Sequence, residues 1–224
     1  MHRCFDLVFS GVALAILSPL FVVLAVVLKF SGEGEIFFFQ ERVGKNNTII
    51  KLFKFATMLK NSENIGTGTV TLHNDPRILP LGGFLRKTKI NELPQLLNIL
   101  FGDMSIIGPR PQTQRCFEGF PNDSKEVITT VRPGLSGLGS IVFRDEETLM
   151  VNQEDADEFY DDIIMPYKGL LEEWYVGNKS IRVYFTLIAV TIWTVFSPKS
   201  QMLWRTYPSL PRPPEILIAP LNYP

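Results

Sequence analysis

The chain has 224 residues, 46% of them hydrophobic, and a formal net charge of −1, which is enough for one domain with a sizeable core; two small domains are possible but not required. A charge balance this near zero favours neither nucleic acid nor an acidic partner. Cys4 and Cys116 have no Cys or His at ligand spacing, so no disulfide framework or cysteine metal site is expected, and the chain reads as one facing a reducing cytoplasm.

Residues 4–28, CFDLVFSGVALAILSPLFVVLAVVL, carry one charge, Asp6, and as a helix would extend about 37 Å against a hydrocarbon core of ~30 Å. This predicts a membrane segment. The apolar run is too long for a signal peptide and no small-x-small cleavage site follows it. Ser18-Pro19 interrupts it: the proline lacks a helical N–H, and its ring meets the carbonyl of Ala15. Two topologies follow, a kinked helix that crosses the bilayer or a re-entrant one that enters and leaves by the same face. Arg3 before the run and Lys29, Arg42 and Lys45 after it place the body of the chain in the cytoplasm under either.

Next, EIFFFQERVG and TIIKLFKFATM read as two strands of a hairpin around the turn GKNN. Across this region, from Arg42 to Lys89, bases outnumber acids, a place suited to phosphate or anionic lipid. Residues 66–88 read as loop-rich. Gly66 and Gly68 there lack the lysine and hydroxyl of a phosphate loop, and no strand–GxGxxG–helix unit occurs, so nucleotide folds of those kinds are not expected.

The stretch KINELPQLLNILFGDMSIIGPRP carries the chemistry. Leu93, Leu96, Leu97, Leu100 and Phe101 mark one face of a helix stopped by Gly102, with Asn91 at the N-cap and Pro94 in the first turn. A structural cap accounts for Asn91 completely. The same geometry also offers free N–H groups to a phosphate, with Arg86 and Lys87 just upstream. Downstream, Arg110 stands between two prolines, its planar fork held for bidentate phosphate recognition. Glu92 and Asp103 supply carboxylates, and an acid beside a phosphate cradle suggests Mg2+-assisted phosphoryl transfer; surface salt bridges on a structural helix are the plain alternative.

Beyond it, RPGLSGLGS at 132–140 reads as a turn-rich connection. Acids dominate from Asp145 to Glu173, which is more often a solvated face. The helical spacing of Phe159, Tyr160, Ile163, Ile164, Tyr167, Leu170, Leu171, Trp174 and Tyr175 predicts a core stripe, with Pro166 starting a new helix. Residues 184–196 are uncharged but too short to span, which predicts a buried or interfacial helix with Trp193 at the headgroup level. From Ser197 onward the prolines predict an extended or disordered tail. The fold expected is α+β, mainly helical around a small β-hairpin, with a membrane anchor at 1–30, a transferase body at 31–198 and a tail at 199–224.

The segments FDLVFSGVALAILSPLF, FFQERVGKNNTIIKLFKFATM, NDPRILPLGGFLRKTKINELPQLLNILFGDMSIIGPRP, VRPGLSGLGSIVFRD and WYVGNKS resemble the bacterial sugar transferases, the monotopic phosphoglycosyl transferase family, from Arg3 to about Pro198. The resemblance implies an enzyme of the bacterial inner membrane, working on its cytoplasmic face. It moves a sugar-1-phosphate from a UDP-sugar to polyprenyl (undecaprenyl) phosphate, releases UMP, and so initiates exopolysaccharide, O-antigen or other glycoconjugate synthesis. It also implies Mg2+, a re-entrant anchor broken at a Ser-Pro pair, matched by Ser18-Pro19, and amphipathic helices on the inner leaflet. No nucleic-acid partner is expected. The family's catalytic Asp-Glu dyad opens the ELPQL helix, and its glutamate, beside the metal, matches Glu92. Lys54, Arg86, Arg110, Arg132 and Arg144 match positions suited to diphosphate, uridine or lipid phosphate. With the resemblance beginning at Arg3, the minimal form of the family is expected, without a further transmembrane domain before the anchor.

The chain departs from the pattern where the chemistry is sharpest. Asn91 stands where the family has its nucleophilic aspartate, and a neutral amide is a poor nucleophile. Glu172 stands where an aspartate precedes the YVxN motif, and Ala56 where the family has an arginine. The expectation is an active enzyme whose nucleophile is another carboxylate, Glu92 or Asp103, or the lipid phosphate itself. The alternative is a catalytically weak, membrane-anchored partner of glycan-assembly enzymes.

Overall fold

A computed structural model describes residues 2–62, 75–151, 153 and 155–224. Gly66, Gly68 and the rest of 66–74, the first part of the stretch read as loop-rich, lie outside the described residues. The chain forms two compact units, Phe5–Glu41 with Lys51–Gly102, and Met1–Cys4 with Arg42–Ile50 and Asp103–Pro224. The fold is mainly helical around a small hairpin, as expected, and has a second small sheet that the sequence reading did not include.

The first unit is built on α1 (His2–Phe30), one helix of 29 residues with Pro19 inside it. Its most apolar window has a mean hydropathy of 2.8 and is 11% buried, so it is long and apolar enough to cross a bilayer. Pro19 deprives the Ala15 carbonyl of its donor, and the Ser18 hydroxyl donates to that oxygen at 2.8 Å instead. The Ser-Pro pair thus interrupts the ladder without leaving an oxygen bare, which lipid would penalise.

The hairpin falls where the sequence places it: β1 (Phe37–Val43) pairs with β2 (Ile49–Phe55). Asn46 and Asn47 adopt φ of 54° and 59° in the connection, a left-handed conformation that asparagine tolerates better than most residues. Leu24 and Leu28 of α1, Phe55 of β2 and Leu85 form one apolar cluster, with Phe21, Ile36, Leu81 and Ile90 packed against it. Leu81 and Leu85 belong to α2 (Pro80–Lys87), a helix inside the stretch read as loop-rich. Its entry is fixed by a buried ion pair, Arg77 on Asp75, with the same guanidinium donating to the Ser62 carbonyl.

The chemical stretch folds differently from its reading at one point and as read at another. Gly102 ends α3 (Gln95–Phe101) at φ 100°, as expected. The buried face, however, is Gln95, Leu96, Asn98 and Ile99, while Phe101 is 66% exposed. Asn98 explains the rotation. Its amide accepts from Phe53 N–H (2.9 Å) and donates to Lys51 C=O (2.7 Å), taking both free groups of strand β2 inward with it.

In the second unit, β3 (Ser105–Ile107) pairs in parallel with β4 (Gly134–Ser136), Ser105 opposite Gly134 and Ile107 opposite Ser136. The connection between them holds α4 (Gln114–Glu118) and α5 (Asn122–Ile128). After β4 come α6 (Leu138–Val142), α7 (Glu146–Met150) and α8 (Ala156–Phe159). A π-turn, Tyr160–Ile164, then leads into α9 (Met165–Gly177), with Pro166 in its first turn as expected. The wider turn fits a proline that brings no N–H to the preceding coil.

Ile164 just before α9 and Tyr167, Leu171 and Tyr175 along it are buried, and Leu170 faces out at 48% exposure. The acidic run is more than a solvated face. Asp157 and Asp161 lie 3.1 and 3.3 Å from Arg115, and Glu146 pairs with the buried Lys168. α10 (Ile181–Phe196) buries Val183, Tyr184, Leu187, Val190 and Thr194 and exposes Phe185, Ile192, Trp193, Val195 and Phe196, the one-sided pattern of an interfacial helix.

The tail overturns its reading as an extended or disordered segment. It contains α11 (Met202–Thr206) and α12 (Glu215–Ile218), and buries Leu203, Trp204, Leu210 and Leu217. Tyr167 of α9 donates its hydroxyl to the Pro211 carbonyl at 2.8 Å, and Trp174 meets Tyr207 edge-on. The prolines space four apolar anchors along a fixed path, which proline's rigid φ favours.

Candidate active site

The residues singled out in the sequence fall into two sets, one in each unit. Lys54, Arg86, Asn91 and Glu92 belong to the first, and Asp103, Arg110, Arg132, Arg144 and Glu172 to the second.

In the first unit, β2 carries Lys54, whose Nζ donates to Gln40 Oε1 on β1 at 2.9 Å. Arg86 closes α2, partly buried, with Nη1 3.6 Å from Met58 Sδ. Lys89 then adopts φ 59°, ψ 11°, a left-handed conformation that costs a non-glycine residue on the order of 1 kcal/mol and concentrates at functional sites. It turns the chain into a 3₁₀ turn, Ile90–Glu92, and α3 begins three residues later.

Asn91 is therefore not an N-cap. The N–H groups of Glu92, Leu93, Leu96 and Leu97 donate to the carbonyls of Lys89, Ile90, Leu93 and Pro94, which leaves the asparagine nothing to cap. The free N–H cradle read from the sequence is consumed by these turns. In its place stands a buried side chain: Asn91 is 6% exposed, and its Oδ1 has no hydrogen-bond partner among the described residues. A buried acceptor left in this state costs about 1–3 kcal/mol. The adjoining Glu92 is partly buried in the same turn.

In the second unit, two motifs read as separate turns are stitched together. Ser105 N–H donates to Pro133, Gly108 to Ser136 and Gly134 to Pro109, at 2.9, 2.9 and 2.8 Å. A Cβ on Gly134 would lie 2.1 Å from Gly108 N, and one on Gly137 2.1 Å from Gly108 O. Backbone therefore packs directly on backbone, and the prolines of GPRP and RPG bracket the joint. Arg110 and Arg132 leave from its two sides. Arg110 lines a small cleft with Val43, Gly44, Pro111, Gln112 and Thr129. Asp103 lies, partly buried, in the turn between Gly102 and β3.

Two predicted site residues turn inward. The Arg144 guanidinium donates to the Thr194 carbonyl near the end of α10, where a cation is favoured by the helix dipole. Glu172 is 2% exposed; its Oε1 accepts from the N–H groups of Arg110 (3.3 Å) and Gly139 (3.2 Å), and its Oε2 has no partner among the described residues. Burial pushes its carboxyl up to about 7 against the pull of those two N–H groups, Lys168 and Arg110.

The family model of the bacterial sugar transferases matches residues 1–198. The chain belongs to the bacterial sugar transferase family. Among curated relatives it is similar to the exopolysaccharide production protein ExoY of Rhizobium meliloti, 36% identical over 158 residues, covering 64% of this chain and 70% of the relative. It is also similar to the UDP-glucose:undecaprenyl-phosphate glucose-1-phosphate transferase of Escherichia coli, 36% identical over 167 residues, or 71% of this chain. The UDP-N-acetylgalactosamine-undecaprenyl-phosphate N-acetylgalactosaminephosphotransferase of Aeromonas hydrophila is 37% identical over 144 residues, or 63% of this chain. The matched part is 35% and 34% of the length of the last two.

For a sugar transferase the first unit offers cations on two elements and a carboxylate at Glu92, and the second, taken by itself, offers an arginine beside the backbone joint. Among the described residues no cluster of three or more His, Cys, Asp or Glu side chains is placed to hold a metal. A lone carboxylate such as Glu92 is a donor of the kind Mg2+ takes, with water and substrate phosphates completing its shell. The joint itself was missed in the sequence: Gly108 and Gly134 beside prolines, and Gly137 three residues on, were visible, but three-residue strands show no alternation to read.

Proposed function

We propose that this sugar transferase moves a sugar-1-phosphate from a UDP-sugar to polyprenyl phosphate at the cytoplasmic face of the inner membrane. The observation that carries the reading is the family match along residues 1–198, with relatives whose names specify UDP-sugar and undecaprenyl phosphate. An oxygen nucleophile attacks the sugar-bearing phosphorus, the bridging P–O bond breaks, and UMP leaves with the electron pair. Where the lipid phosphate attacks, polyprenyl diphospho-sugar forms directly; where a carboxylate attacks, the lipid phosphate then displaces that carboxylate from phosphorus to give the same product and free the side chain. Lys54 and Arg86 of the first unit and, separately, Arg110 and Arg132 of the second are the cations offered to phosphates and uridine, and α1 is the segment offered to lipid.

Asn91 sets the chemistry apart. Its amide carries no anionic oxygen, so the attacking atom belongs either to another carboxylate, Glu92 or Asp103, or to the lipid phosphate. Glu92 is the residue that would hold Mg2+, which when bound neutralises phosphate charge. The buried Asn91 Oδ1 is an acceptor awaiting an O–H or N–H donor from a ligand.

The test is UMP release by the purified chain in detergent with polyprenyl phosphate, Mg2+ and a panel of UDP-glucose, UDP-galactose and UDP-N-acetylglucosamine. Turnover by the unmodified protein, lost in Glu92→Ala with UDP-sugar binding kept, is the expected result. Turnover by Asn91→Asp alone would instead make the natural chain a silenced binding partner of assembly enzymes.

A further inference from the structure

Helix α9 reaches the proposed site without touching its cleft. Glu172 Oε1 joins two backbone N–H groups, Arg110 in the turn after β3 and Gly139 in α6 after β4. These two segments flank the backbone joint of Gly108, Gly134 and Gly137. The fit at Gly139 is close: a Cβ there would stand 2.5 Å from Glu172 Oε1. Tyr175, one turn further along α9, donates its hydroxyl to the Ile107 carbonyl of β3 at 3.0 Å. α9 thus holds both the strand and the turn that follows it. Arg110 lines the cleft and Glu172 does not.

The geometry points to Glu172 as the positioning residue of Arg110: it fixes the arginine's backbone against the second glycine-rich turn and acts on the nucleotide-sugar through that arginine, not by contact. This rests on the transferase reading above. An ionised carboxylate is the stronger acceptor for two N–H groups, so the positioned state is the charged one, and protonation loosens it. With burial holding the carboxyl at about 7, the change falls in the neutral range.

The charged groups acting on Glu172 are Lys168, one turn earlier on α9, and Arg110 itself. α6 carries no ionisable side chain. α5, packed on the same helix, meets it through Ser124, which bonds Glu173, while Asp123 and Glu126 are exposed and Lys125 bonds Asn122. Lys168 is itself paired with Glu146.

The experiment is UMP release by the full chain in detergent from mildly acidic to mildly alkaline pH, for the unmodified protein, Glu172→Gln and Glu172→Asp. In the unmodified protein kcat/KM for the UDP-sugar should fall on the acid side of about pH 7. Glu172→Gln keeps the shape and a neutral acceptor; it should lose that limb and raise KM about three- to tenfold with a smaller change in kcat. Glu172→Asp keeps the charge and should retain the limb. A Glu172→Gln profile and KM superimposable on the unmodified protein's would overturn the inference, since a substrate phosphate would then own the limb. If Glu172→Gln does not fold, loss of the limb in Glu172→Asp overturns it and retention supports it. Absence of turnover by the unmodified protein at every pH refutes the transferase reading instead, and UDP affinity against pH for the same variants then tests the positioning alone: a pH-dependent affinity flattened by Glu172→Gln supports it, and identical curves overturn it.

Discussion

Replacing Asn98 by alanine removes a side chain that is fully buried and serves as a backbone surrogate. Its carbonyl accepts from Phe53 N–H at 2.9 Å and its amide donates to Lys51 C=O at 2.7 Å. Each bond contributes about 1 kcal/mol net, and a buried group left without its partner costs about 1–3 kcal/mol. Water reaching the strand recovers part of this, so Asn98→Ala should destabilise by roughly 2–4 kcal/mol. At about 2–4 °C per kcal/mol for a chain of this size, the melting temperature should drop by roughly 5–15 °C. The assay is thermal unfolding of the purified protein in detergent, followed by tryptophan fluorescence. Asn98→Asp separates the two bonds: it keeps the acceptor for Phe53 but sets a carboxylate against the Lys51 carbonyl, and should be at least as damaging. A melting temperature for Asn98→Ala within error of the unmodified protein would refute the view that this amide fixes α3 to β2.

Gly134→Ala places a methyl 2.1 Å from Gly108 N; the joint must open, and both UMP release and cooperative melting should be lost, whereas Gly83→Ala, with open space around it, should melt as the unmodified protein does. Truncation after Pro198 removes the buried Leu203, Trp204, Leu210 and Leu217, each worth about 1.5–3 kcal/mol on burial, and should leave a chain that aggregates or is cleared by proteolysis, measured as soluble yield. Glu172 titrates at about 7 in the fold against 4.5 outside it, so its contribution to stability is complete below the lower value and lost as pH rises through the upper, roughly 3 kcal/mol in all. Glu172→Gln should therefore gain on the unmodified protein in melting temperature at alkaline pH and lose that advantage in acid.

What could be read from the sequence depended on how local its cause was. The hairpin was legible because GKNN supplies residues that accept left-handed backbone, and Asn46 and Asn47 adopt it. The long apolar helix was legible from composition, and even the meeting of Pro19 with Ala15 followed from spacing; the Ser18 hydroxyl's repair of it did not. Asn91 was misplaced because a cap is defined by which neighbouring N–H groups lack partners, and 3₁₀ bonds through Leu93 and Pro94 had already taken them. β4 was invisible since three residues cannot display alternation, and its pairing with β3 is a long-range event. Glu172 stood out only through the family resemblance, since nothing local in an acidic run distinguishes a carboxylate in solvent from one beneath two backbone turns. The tail was misjudged by counting prolines when the informative residues were the four apolar anchors between them.

That tail lies beyond the residues shared with the family, yet Leu217 is wholly enclosed. Synthesis proceeds from the N-terminus, and units fold as their residues emerge, so α1 is available to lipid long before the last helix leaves the ribosome. The unit that holds Arg110 and Glu172 can close around α9 only once residues 203–217 have emerged. A copy terminated before those residues would carry α1 complete but leave that unit unfinished and open to the cell's proteases.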